Sequence, residues 1–401
     1  MKVLQINSTL NSGSTGRIAE GIGLKILEQG GESFIAFGRS ANASQSQIIR
    51  VGNKWIQSIH LLKTRLFDTH GFHSSRATKA LVQQIREIQP DIIHLHNLHG
   101  YYLNIEILFD FLKDWDKPIV WTLHDCWPFT GHCCYYERVK CMKWKLECQN
   151  CPLKWLYPQS YFYDNSKDNY RKKKMLFSLP KQLHLVTVSN WLESQVAQSF
   201  LQKRPIETIY NGIDLLVFRP MNQFNLKKEY GFEGKQVILG VANIWTDGKG
   251  LQSFTELSKR INKNQLIILI GVTKKQIKHL PENMLGIAHT SSVEELAKYF
   301  NLADVFINPS IAETFGMTTA EAMACGTPAV VYETSAMPEM ITDEVGFIVP
   351  YNNYESLYEK TNKILANGKE SYTKNCRARA EERFDQDKQY EKYTALYKSL
   401  V

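Results

Sequence analysis

The sequence predicts an α/β protein built from two doubly wound, Rossmann-like domains that face a central cleft. Apolar runs with strand character alternate with amphipathic helical segments, which is typical of parallel sheets. The alternation restarts after residue 213, and a length of 401 residues is sufficient for two domains of ordinary size. We expect domains at residues 1–213 and 214–385, followed by a helix at 386–401 that packs back on the first domain.

The first series opens with the strand KVLQIN, the Gly/Ser-rich loop STLNSGSTG and the helix RIAEGIGLKILEQGG, which Gly30 and Gly31 end. The strand SFIAFG and the helix ALVQQIREIQP follow, and Pro90 stops that helix. The remaining predicted elements are the strands DIIHLH, PIVWTLHD and HLVTVS and the helices YLNIEILFDFLKDW and NWLESQVAQSF. Their alternation predicts the sheet of the first domain.

The second series contains five predicted strands, QVILGVANI, QLIILIG, DVFINP, PAVVY and GFIVP. Ser292 and Glu295 form a predicted capping box before the helix in SSVEELAKYFNLA. Gly326 ends the helix in MTTAEAMACG. In doubly wound sheets ligands bind beyond the carboxyl ends of the strands. We expect the ligand site there, in the cleft between the two domains.

Composition and charge restrict the class of protein. The net charge is +8, from 48 basic and 40 acidic residues, which suits phosphorylated ligands or an anionic membrane face. The near balance makes a zinc-containing nucleic-acid-binding protein the least favoured alternative, and we expect no nucleic-acid partner. MKVLQIN lacks the features of a signal peptide, and no apolar run reaches the ~20 residues that span a bilayer. We therefore expect cytoplasmic localisation.

The stretch NPSIAETFGMTTAEAMACGTP carries the strongest chemical signal. It places Glu313 in a loop, Gly316 at a turn and Glu321 inside the following helix. The backbone N–H groups of residues 317–319 would open that helix, and such an end attracts phosphate through unpaired donors and the helix dipole. From spacing alone an equal alternative stays open, because Thr318 and Glu321 also have the spacing of a capping box.

The same stretch resembles the E-x7-E signature of glycosyltransferase family 4, whose members are retaining enzymes with the GT-B fold. Other motifs agree in order: STGR, WTLHD, VSNWL, YNGID, the pair Lys249–Gly250 and VEELAKYFNLADVFINPS. The resemblance covers essentially the whole chain. The middle segments HLHNLHGYYLN and HDCWPFTGHCCYY are similar to a narrower branch of bacterial transferases that build colanic acid and O-antigen polysaccharides.

The resemblance implies roles for individual residues. Glu313 would hold hydroxyls of the donor sugar, and Lys249 would stabilise the departing diphosphate. His124 matches the histidine that faces the donor sugar near its anomeric carbon, and it completes the expected catalytic set. The expected donor-binding residues are Phe315, Gly316, Met317, Thr318 and Glu321, of which Glu321 would bind the ribose. The expected acceptor and phosphate loops contain Gly13, Gly16, Arg17, His96 and His99.

One position departs from the family pattern. The family usually has Gly-Arg in the strand that precedes the lysine, whereas the corresponding pair here is Ala242–Asn243. The second cation on the diphosphate is therefore missing at its usual place. Either Lys249 acts with backbone donors alone or another cation, such as Arg17, contributes. His94, by contrast, is explained better as a core residue with a satisfied hydrogen bond than as a ligand.

Six of the eight cysteines lie within residues 126–151. The spacing C-x7-C-x6-C-x2-C relates four of them, Cys133, Cys141, Cys148 and Cys151. Four thiolates suit a closed structural zinc site. Reduced thiols without a metal and disulfides stay open as alternatives, and Cys134 is an alternative ligand. We expect the insertion 126–152 to form a folded flap over the acceptor, and Cys126 and Cys325 to be buried apolar residues.

The resemblance therefore implies a retaining hexosyltransferase that would move a sugar from a UDP- or GDP-sugar to a glycan acceptor, which in such pathways is usually lipid-linked. The chemistry requires no cofactor. An epimerase of nucleotide sugars on the same fold stays an alternative. The basic segment DNSKDNYRKKKMLFSLPK predicts an amphipathic helix, which would lie either on the inner face of the cell membrane or with its apolar stripe packed against the protein.

Overall fold

The computed structural model describes residues 1–401. The chain divides into two compact units, one formed by Met1–Tyr210 with Asp387–Val401 and the other by Asn211–Gln386. The sequence placed these boundaries at residues 213 and 385. Each unit contains its own parallel sheet, so the predicted fold class, α/β with two doubly wound domains, is confirmed.

The first unit is built on a seven-stranded parallel sheet. Its strands are β1 (Lys2–Asn7), β2 (Glu32–Phe37), β3 (Gln47–Arg50), β4 (Ile92–Leu95), β5 (Ile119–Leu123), β6 (Leu183–Thr187) and β7 (Ile206–Thr208). They are ordered β3-β2-β1-β4-β5-β6-β7. Strand order reverses between β1 and β4, where Val3 lies opposite Ile92. This is the switch point at which doubly wound sheets bind ligands.

Six helices of this unit precede residue 210. They are α1 (Gly13–Glu28), α2 (Lys54–Phe67), α3 (Ser75–Ile88), α4 (Ile105–Leu112), α5 (Ser166–Phe177) and α6 (Asn190–Val196). Three 3₁₀ turns, Trp127–Phe129, Tyr136–Val139 and Lys143–Lys145, lie between β5 and α5. Gly30 has a φ of 75° and, with Gly31, donates to the last carbonyls of α1, as predicted for the end of this helix.

The second unit contains a six-stranded parallel sheet and eight helices. Its strands are β8 (Gln236–Val241), β9 (Gln265–Ile270), β10 (Met284–Ile287), β11 (Val305–Asn308), β12 (Ala329–Tyr332) and β13 (Gly346–Val349), ordered β10-β9-β8-β11-β12-β13. Its helices are α7 (Gln223–Glu229), α8 (Leu251–Ser258), α9 (Lys274–Ile277), α10 (Val293–Leu302), α11 (Met317–Ala324), α12 (Met337–Met340), α13 (Tyr354–Asn367) and α14 (Glu370–Arg383). Strand order reverses between β8 and β11.

Two predicted helix ends in this unit can be compared with the structure. Gly326 follows α11 with a φ of 74° and donates to the carbonyl of Met323, as expected. The Ser292 hydroxyl accepts the backbone N–H of Glu295 at 3.2 Å. The Glu295 carboxylate, however, accepts from Ser291 at 2.6 Å, so the reciprocal half of the predicted capping box is made one residue earlier.

The last helix, α15 (Gln386–Leu400), packs against the first unit. Tyr390, Tyr393 and Tyr397 belong to the same buried cluster as residues of α1, β1 and β4. A Cβ at Gly21 would lie 2.2 Å from the Tyr390 ring, so the absence of a side chain there lets α15 approach α1. The C-terminal helix therefore completes the core of the first unit.

His94 is fully buried beneath this helix. Its Nε2 lies 2.7 Å from the Thr122 hydroxyl, and its Nδ1 lies 2.6 Å from the Tyr397 hydroxyl. Burial lowers the pKa of His94 well below its usual value, so the ring is neutral. Because Thr122 donates to Tyr393, Nε2–H donates to Thr122 and Nδ1 accepts from Tyr397. The expectation of a core histidine with satisfied hydrogen bonds is confirmed.

The sequence interpretation did not name several elements, of which α2 is the most informative. Its buried positions are the polar residues His60 and Thr64, whereas Trp55, Ile59 and Leu62 are exposed. This is the reverse of the usual amphipathic pattern, so periodicity does not reveal which face packs on the protein. The other strands and α-helices that were not named are β3, β7, β10, α7, α9, α12, α13 and α14.

The basic segment after residue 163 forms α5, and its apolar stripe packs inward. Tyr170, Leu176 and Phe177 are buried. Lys173 is also buried, and its ammonium donates to the carbonyls of Trp127 at 2.8 Å and Thr130 at 3.1 Å. The structure therefore agrees with the alternative in which the apolar stripe packs against the protein, although Met175 stays exposed.

None of the helices combines the length and the apolar character that crossing a bilayer requires.

Replacing Tyr397 by Phe is expected to lower the free energy of unfolding by about 1–3 kcal/mol, because Nδ1 of the buried His94 would lose its donor. The measurement is urea denaturation followed by circular dichroism. Tyr163→Phe is the matched control, since Tyr163 is 60% exposed and its change should stay within about 0.5 kcal/mol. Equal denaturation midpoints for the two variants would contradict a stabilising role of this hydrogen bond.

Candidate active site

In the second unit three loops meet at the carboxyl edge of the sheet. They follow β8, β11 and β12, which are neighbours in the order β8-β11-β12. The Ile311 N–H donates to the Gly248 carbonyl at 3.0 Å and so joins the first two loops. Gly250 has a φ of 76°, and a Cβ there would lie 2.3 Å from the Pro309 carbonyl. Only glycine permits this close approach, which brings residues distant in sequence together.

Lys249 and Glu313 meet across these loops. The Lys249 ammonium lies 2.5 Å from Glu313 Oε1, although the residues are 64 positions apart in the chain. Both side chains are partly accessible, at 37% for Lys249 and 18% for Glu313. The structure therefore unites the two residues that the sequence selected from different motifs, and it leaves the pair within reach of a ligand.

The position of Glu313 is fixed through its backbone. Its N–H donates to the Ser335 hydroxyl at 2.7 Å, and its carbonyl accepts from Ala336 at 3.1 Å. Ser335 follows β12 with a φ of 43°, which is uncommon for a residue other than glycine. The loop after β12 thus holds the carboxylate against Lys249.

The helix α11 begins directly after this loop. Gly316, with a φ of 98°, precedes Met317, and a Cβ at Gly316 would lie 2.4 Å from the Met337 methyl group. The expected helix start at Met317 and Thr318 agrees with the structure. The Thr319 N–H already donates to the Gly316 carbonyl at 2.9 Å and is not an unpaired donor, contrary to expectation. Thr318 is not the N-cap, so the alternative capping box with Glu321 is also wrong.

Two expected donor-binding residues of this region are buried. Glu321 is 3% exposed and lies in the second turn of α11, near the positive end of the helix dipole. Phe315 is 2% exposed, and its ring centroid lies 5.5 Å from that of Phe384. The Phe315 side chain therefore anchors the loop, and its backbone is the part that would face a ligand.

The departure at Ala242–Asn243 falls directly after β8. A Cβ at Gly271 would lie 1.7 Å from the Ala242 carbonyl, so the backbone here is tightly packed against the neighbouring loop. Asn243 is exposed. Lys249 therefore has no guanidinium beside it at this position. Arg17, the other cation considered, belongs to the first unit and lies in the second turn of α1.

In the first unit, a chain of hydrogen bonds leads to His124. Gln5 donates to the Ala19 carbonyl at 2.7 Å, which orients its amide oxygen toward His96 Nε2 at 3.0 Å. His96 Nδ1 then lies 3.1 Å from His124 Nε2. Since the amide oxygen can only accept, His96 donates from Nε2 and accepts at Nδ1, and His124 carries its proton on Nε2.

Both imidazoles of this chain are neutral. Burial lowers the pKa of His96 well below its usual value, and burial lowers the pKa of His124 to about 4 although the charge of Asp125 acts in the opposite direction. His96 is 1% exposed and both of its nitrogens are engaged. The expectation that His96 contacts an acceptor is corrected, because this residue orients His124 instead.

His99 belongs to a second group beside His124. Its Nε2 lies 2.7 Å from Asp125 Oδ2, and its Nδ1 lies 3.0 Å from the Tyr157 hydroxyl. The other Asp125 oxygen accepts the Trp127 N–H at 2.9 Å. Burial tends to raise the pKa of Asp125, but His99 and the Trp127 N–H hold it below its usual value. This group joins His99 to Tyr157, which lies in the chain between the insertion and α5.

The ligand atoms of His99, Asp125 and Cys134 all lie within 4.8 Å of one another, which is compatible with a metal site. His99 and Asp125, however, are at hydrogen-bonding distance, closer than the roughly 3.3 Å that ligands at about 2.0–2.1 Å from a tetrahedral ion adopt. We therefore interpret this group as a hydrogen-bonded network.

The loop after β1 ends earlier than the sequence predicts. The helix α1 begins at Gly13, so Gly13, Gly16 and Arg17 lie in its first turns. Gly16 is buried, and a Cβ there would lie 2.8 Å from the Thr9 hydroxyl, whereas a Cβ at Gly13 would meet nothing within 4 Å. Gly16 therefore permits the tight fold of the loop. Position 13 favours glycine for a different reason, because its φ of 66° lies in the left-handed region.

The expected metal ligands Cys133, Cys141, Cys148 and Cys151 line one cavity in the segment between β5 and α5. Cys134 does not line it. Cys126 and Cys325 are buried, as expected for small apolar side chains.

Sequence reasoning did not select Gln5, Asp125, Tyr157 and Ser335 as site residues. Gln5 carried a usable signal, because a polar residue inside the apolar strand KVLQIN needs a buried partner. Asp125 adjoins His124 in the same motif. Nothing in the local sequence around Tyr157 or Ser335 indicates the distant residues that they contact.

Comparison with protein families identifies two matches. "Glycosyltransferase Family 4" matches residues 28–216, and "Glycosyl transferases group 1" matches residues 222–383. The Escherichia coli protein WcaC, named for a glycosyl transferase step in colanic acid biosynthesis, is 24% identical over 362 residues, which are 86% of each chain. A D-inositol 3-phosphate glycosyltransferase of Mycobacteroides abscessus is 25% identical over 173 residues, 40% of this chain and 39% of that protein.

Solved structures agree with the fold. Sucrose-phosphate synthase from Thermosynechococcus elongatus superposes with a TM-score of 0.77 at 16% identity, covering 99% of this chain and 98% of that one. Anabaena Alr3699/HepE, solved with UDP and glucose, gives a TM-score of 0.70 at 15% identity and covers 100% of both chains. The family matches favour a transferase over an epimerase. The chain therefore belongs to glycosyltransferase family 4 and is a glycosyltransferase of the GT-B type.

Proposed function

We propose that this glycosyltransferase is a retaining enzyme that moves a sugar from a nucleoside-diphosphate donor to a glycan of a bacterial surface polysaccharide. The observation that carries the donor assignment is the contact between Lys249 and Glu313 beside the first turn of α11. An ammonium, a carboxylate and a helix N-terminus in one place match the phosphate and the hydroxyls of a nucleotide sugar.

The ion pair would divide on donor binding. The Lys249 ammonium would turn to the diphosphate, where it stabilises the charge that develops as the bond from phosphate to the anomeric carbon breaks. Glu313 would accept hydrogen bonds from sugar hydroxyls. The acceptor oxygen would bond to the anomeric carbon on the face that the diphosphate leaves, and the acceptor proton would pass to a phosphate oxygen. Configuration is then retained without a base from the protein.

His124 would act near the sugar as a neutral imidazole. Its Nε2–H is donated to His96, and burial lowers its pKa to about 4, so it does not supply a positive charge at neutral pH. Its role is to orient the sugar by hydrogen bonding and to exclude water. The chain from Gln5 through His96 fixes the tautomer that this role requires.

The comparisons support particular partners. Structures of Anabaena HepE contain UDP and UDP-glucose, which favours a uridine nucleotide as donor base for this chain as well. Similarity to WcaC over 86% of the chain supports an acceptor of the surface-polysaccharide type. Acceptors of that type are usually carried on lipid, so the enzyme would work at a membrane face.

The helix α2 is the surface that we assign to the membrane. Trp55, Ile59 and Leu62 form an exposed ridge at i, i+4 and i+7, with exposed fractions of 78%, 48% and 58%. The helix contains Lys54, Lys63 and Arg65 and no acidic residue. The exposed Phe67 ring at its end lies 5.8 Å from that of Tyr163 and extends the ridge. An apolar ridge with basic residues fits an anionic bilayer surface.

Glu313→Ala and Lys249→Ala are each expected to lower the rate of sugar transfer at least about a hundredfold, because each removes a group that contacts reacting atoms. The assay is release of nucleoside diphosphate from UDP-sugars in the presence of extracted lipid-linked glycans. The matched control is Glu229→Ala with Lys298→Ala, an exposed ion pair at 2.9 Å in the same unit.

Circular dichroism should show the wild-type fold in all of these variants. Full activity of folded Glu313→Ala would contradict the proposed donor site. Formation of an isomerised nucleotide sugar, with no new glycosidic bond, would contradict the transferase reaction and support the epimerase.

A uridine nucleotide is expected to raise the melting temperature, because a ligand that binds only the folded state adds about 2.7 kcal/mol at a concentration of one hundred times its Kd. The panel consists of UDP, GDP, ADP and dTDP with representative sugars. Glu321→Ala should lose the shift if this carboxylate holds the ribose. A shift with GDP alone would overturn the assignment of uridine, and an unchanged shift in Glu321→Ala would overturn the role of Glu321.

Replacing Trp55 and Leu62 together by Ser should weaken binding to anionic vesicles roughly thirtyfold, which corresponds to about 2 kcal/mol of lost apolar burial. Co-sedimentation with phosphatidylglycerol vesicles measures it. Leu216→Ser with Phe224→Ser is the control, since these side chains are 84% and 71% exposed in the second unit. Equal binding of the two double variants would discard α2 as the membrane surface.

A further inference from the structure

The cysteine-rich segment between β5 and α5 contains little regular structure, yet it is well packed. Its regular elements are three 3₁₀ turns of three or four residues. Cys133, Cys141, Cys148 and Cys151 surround a cavity of about 20 Å³, although they are spread over 19 residues of chain. A fold that brings four thiols to one small cavity resembles a structural metal site more closely than an apolar core.

A hydrogen bond to one of the sulfur atoms supports this interpretation. The Gly131 N–H donates to Cys148 Sγ at 3.2 Å. Backbone N–H groups directed at sulfur stabilise thiolates, which are the form that binds metal. The pair Cys148 and Cys151 has the C-x2-C spacing of a zinc knuckle.

Buried groups around the cavity can balance the charge of a tetrathiolate. Four thiolates and a divalent cation carry two net negative charges, which a buried site must offset. The buried Lys173 side chain donates to the carbonyls of Trp127 and Thr130, and Thr130 also lines the cavity. His132, which also lines the cavity, lies 2.5 Å from Asp68 through its Nδ1. These contacts also fasten the segment to α5 and to the end of α2.

We propose that Cys133, Cys141, Cys148 and Cys151 bind one zinc ion in a closed site that holds the insertion in place. Zinc is favoured because four sulfur ligands without an open position are typical of structural Zn²⁺. Unlike the ligand atoms of His99, Asp125 and Cys134, the sulfur atoms of the four cysteines do not all lie within 4.8 Å of one another. Zinc binding would therefore draw these four sulfur atoms closer together.

The zinc would act on the candidate active site through the chain that follows Cys151. Tyr157 lies six residues beyond this ligand, and its hydroxyl is 3.0 Å from His99. His99 in turn contacts Asp125, the neighbour of His124. An ion that fixes Cys148 and Cys151 therefore limits the movement of Tyr157. The metal takes no part in sugar transfer, so its presence and the proposed reaction can be tested separately.

The test measures metal in the purified full-length protein by inductively coupled plasma mass spectrometry, after expression without added metal and purification under reducing conditions. Zinc equimolar with the chain is expected. Cys133→Ala should lose the zinc, whereas Cys134→Ala should retain it, because the second thiol does not line the cavity. Because Cys133 and Cys134 are neighbours in the chain, a difference between the two variants reports on the individual thiol and not on its region of the chain. Retention in Cys133→Ala or loss in Cys134→Ala overturns the assigned ligand set.

A measurement on the wild-type chain keeps the proposal testable if Cys133→Ala does not fold. Cobalt substituted for zinc should give the intense visible bands and the sulfur-to-metal charge-transfer band of tetrahedral cobalt with thiolate ligands. Absence of metal, combined with failure to bind zinc or cobalt after reduction, overturns the proposal. Iron in place of zinc also overturns it.

Discussion

Parallel pairing of neighbouring strands is the constraint on which both candidate site regions depend. Because β8, β11 and β12 run in the same direction, the loops that follow them emerge at one edge of the sheet. Lys249 and Glu313 can therefore meet although 64 residues separate them. The same rule in the first unit places His96 after β4 and His124 after β5, and their rings form a hydrogen bond. An antiparallel sheet would send successive loops to opposite edges.

Burial then decides what the residues of each region can do. In the first unit His94, His96 and His124 are buried, and burial lowers the pKa of each imidazole far enough to keep it neutral. Neutral rings act as directional donors and acceptors, which suits the positioning of hydroxyl groups. In the second unit Lys249 keeps about a third of its side chain accessible, so its ammonium stays within reach of a ligand. The two regions thus supply different properties, orientation in the first and charge in the second.

The sequence was most informative where local pattern and function coincide. The start of α11, the end of α1 at Gly30 and the proximity of Glu313 to a helix N-terminus all follow from residues adjacent in the chain. Long-range contacts could not be predicted in this way. The α2 helix turns His60 toward the protein because both ring nitrogens find partners there, the Ser74 hydroxyl and the Gly71 N–H. Lys173 is buried because two carbonyls from a distant turn accept hydrogen bonds from its ammonium group. Such compensation depends on tertiary contacts that no local pattern contains.

Because residue 243 is asparagine and not the arginine usual in the family, diphosphate binding would depend more strongly on Lys249 and on its contact with Glu313. A donor diphosphate carries at least two negative charges, and a single ammonium cannot balance them alone. The first turn of α11 contributes partial positive charge, but Glu313 beside it would repel the phosphate unless its charge is engaged elsewhere. Under the proposed function, sugar hydroxyls that donate to Glu313 would release Lys249 for the phosphate, so recognition of the sugar and stabilisation of the leaving group would become one event. A nucleotide that lacks the sugar leaves Glu313 paired with Lys249, and it should therefore bind less favourably than the complete donor.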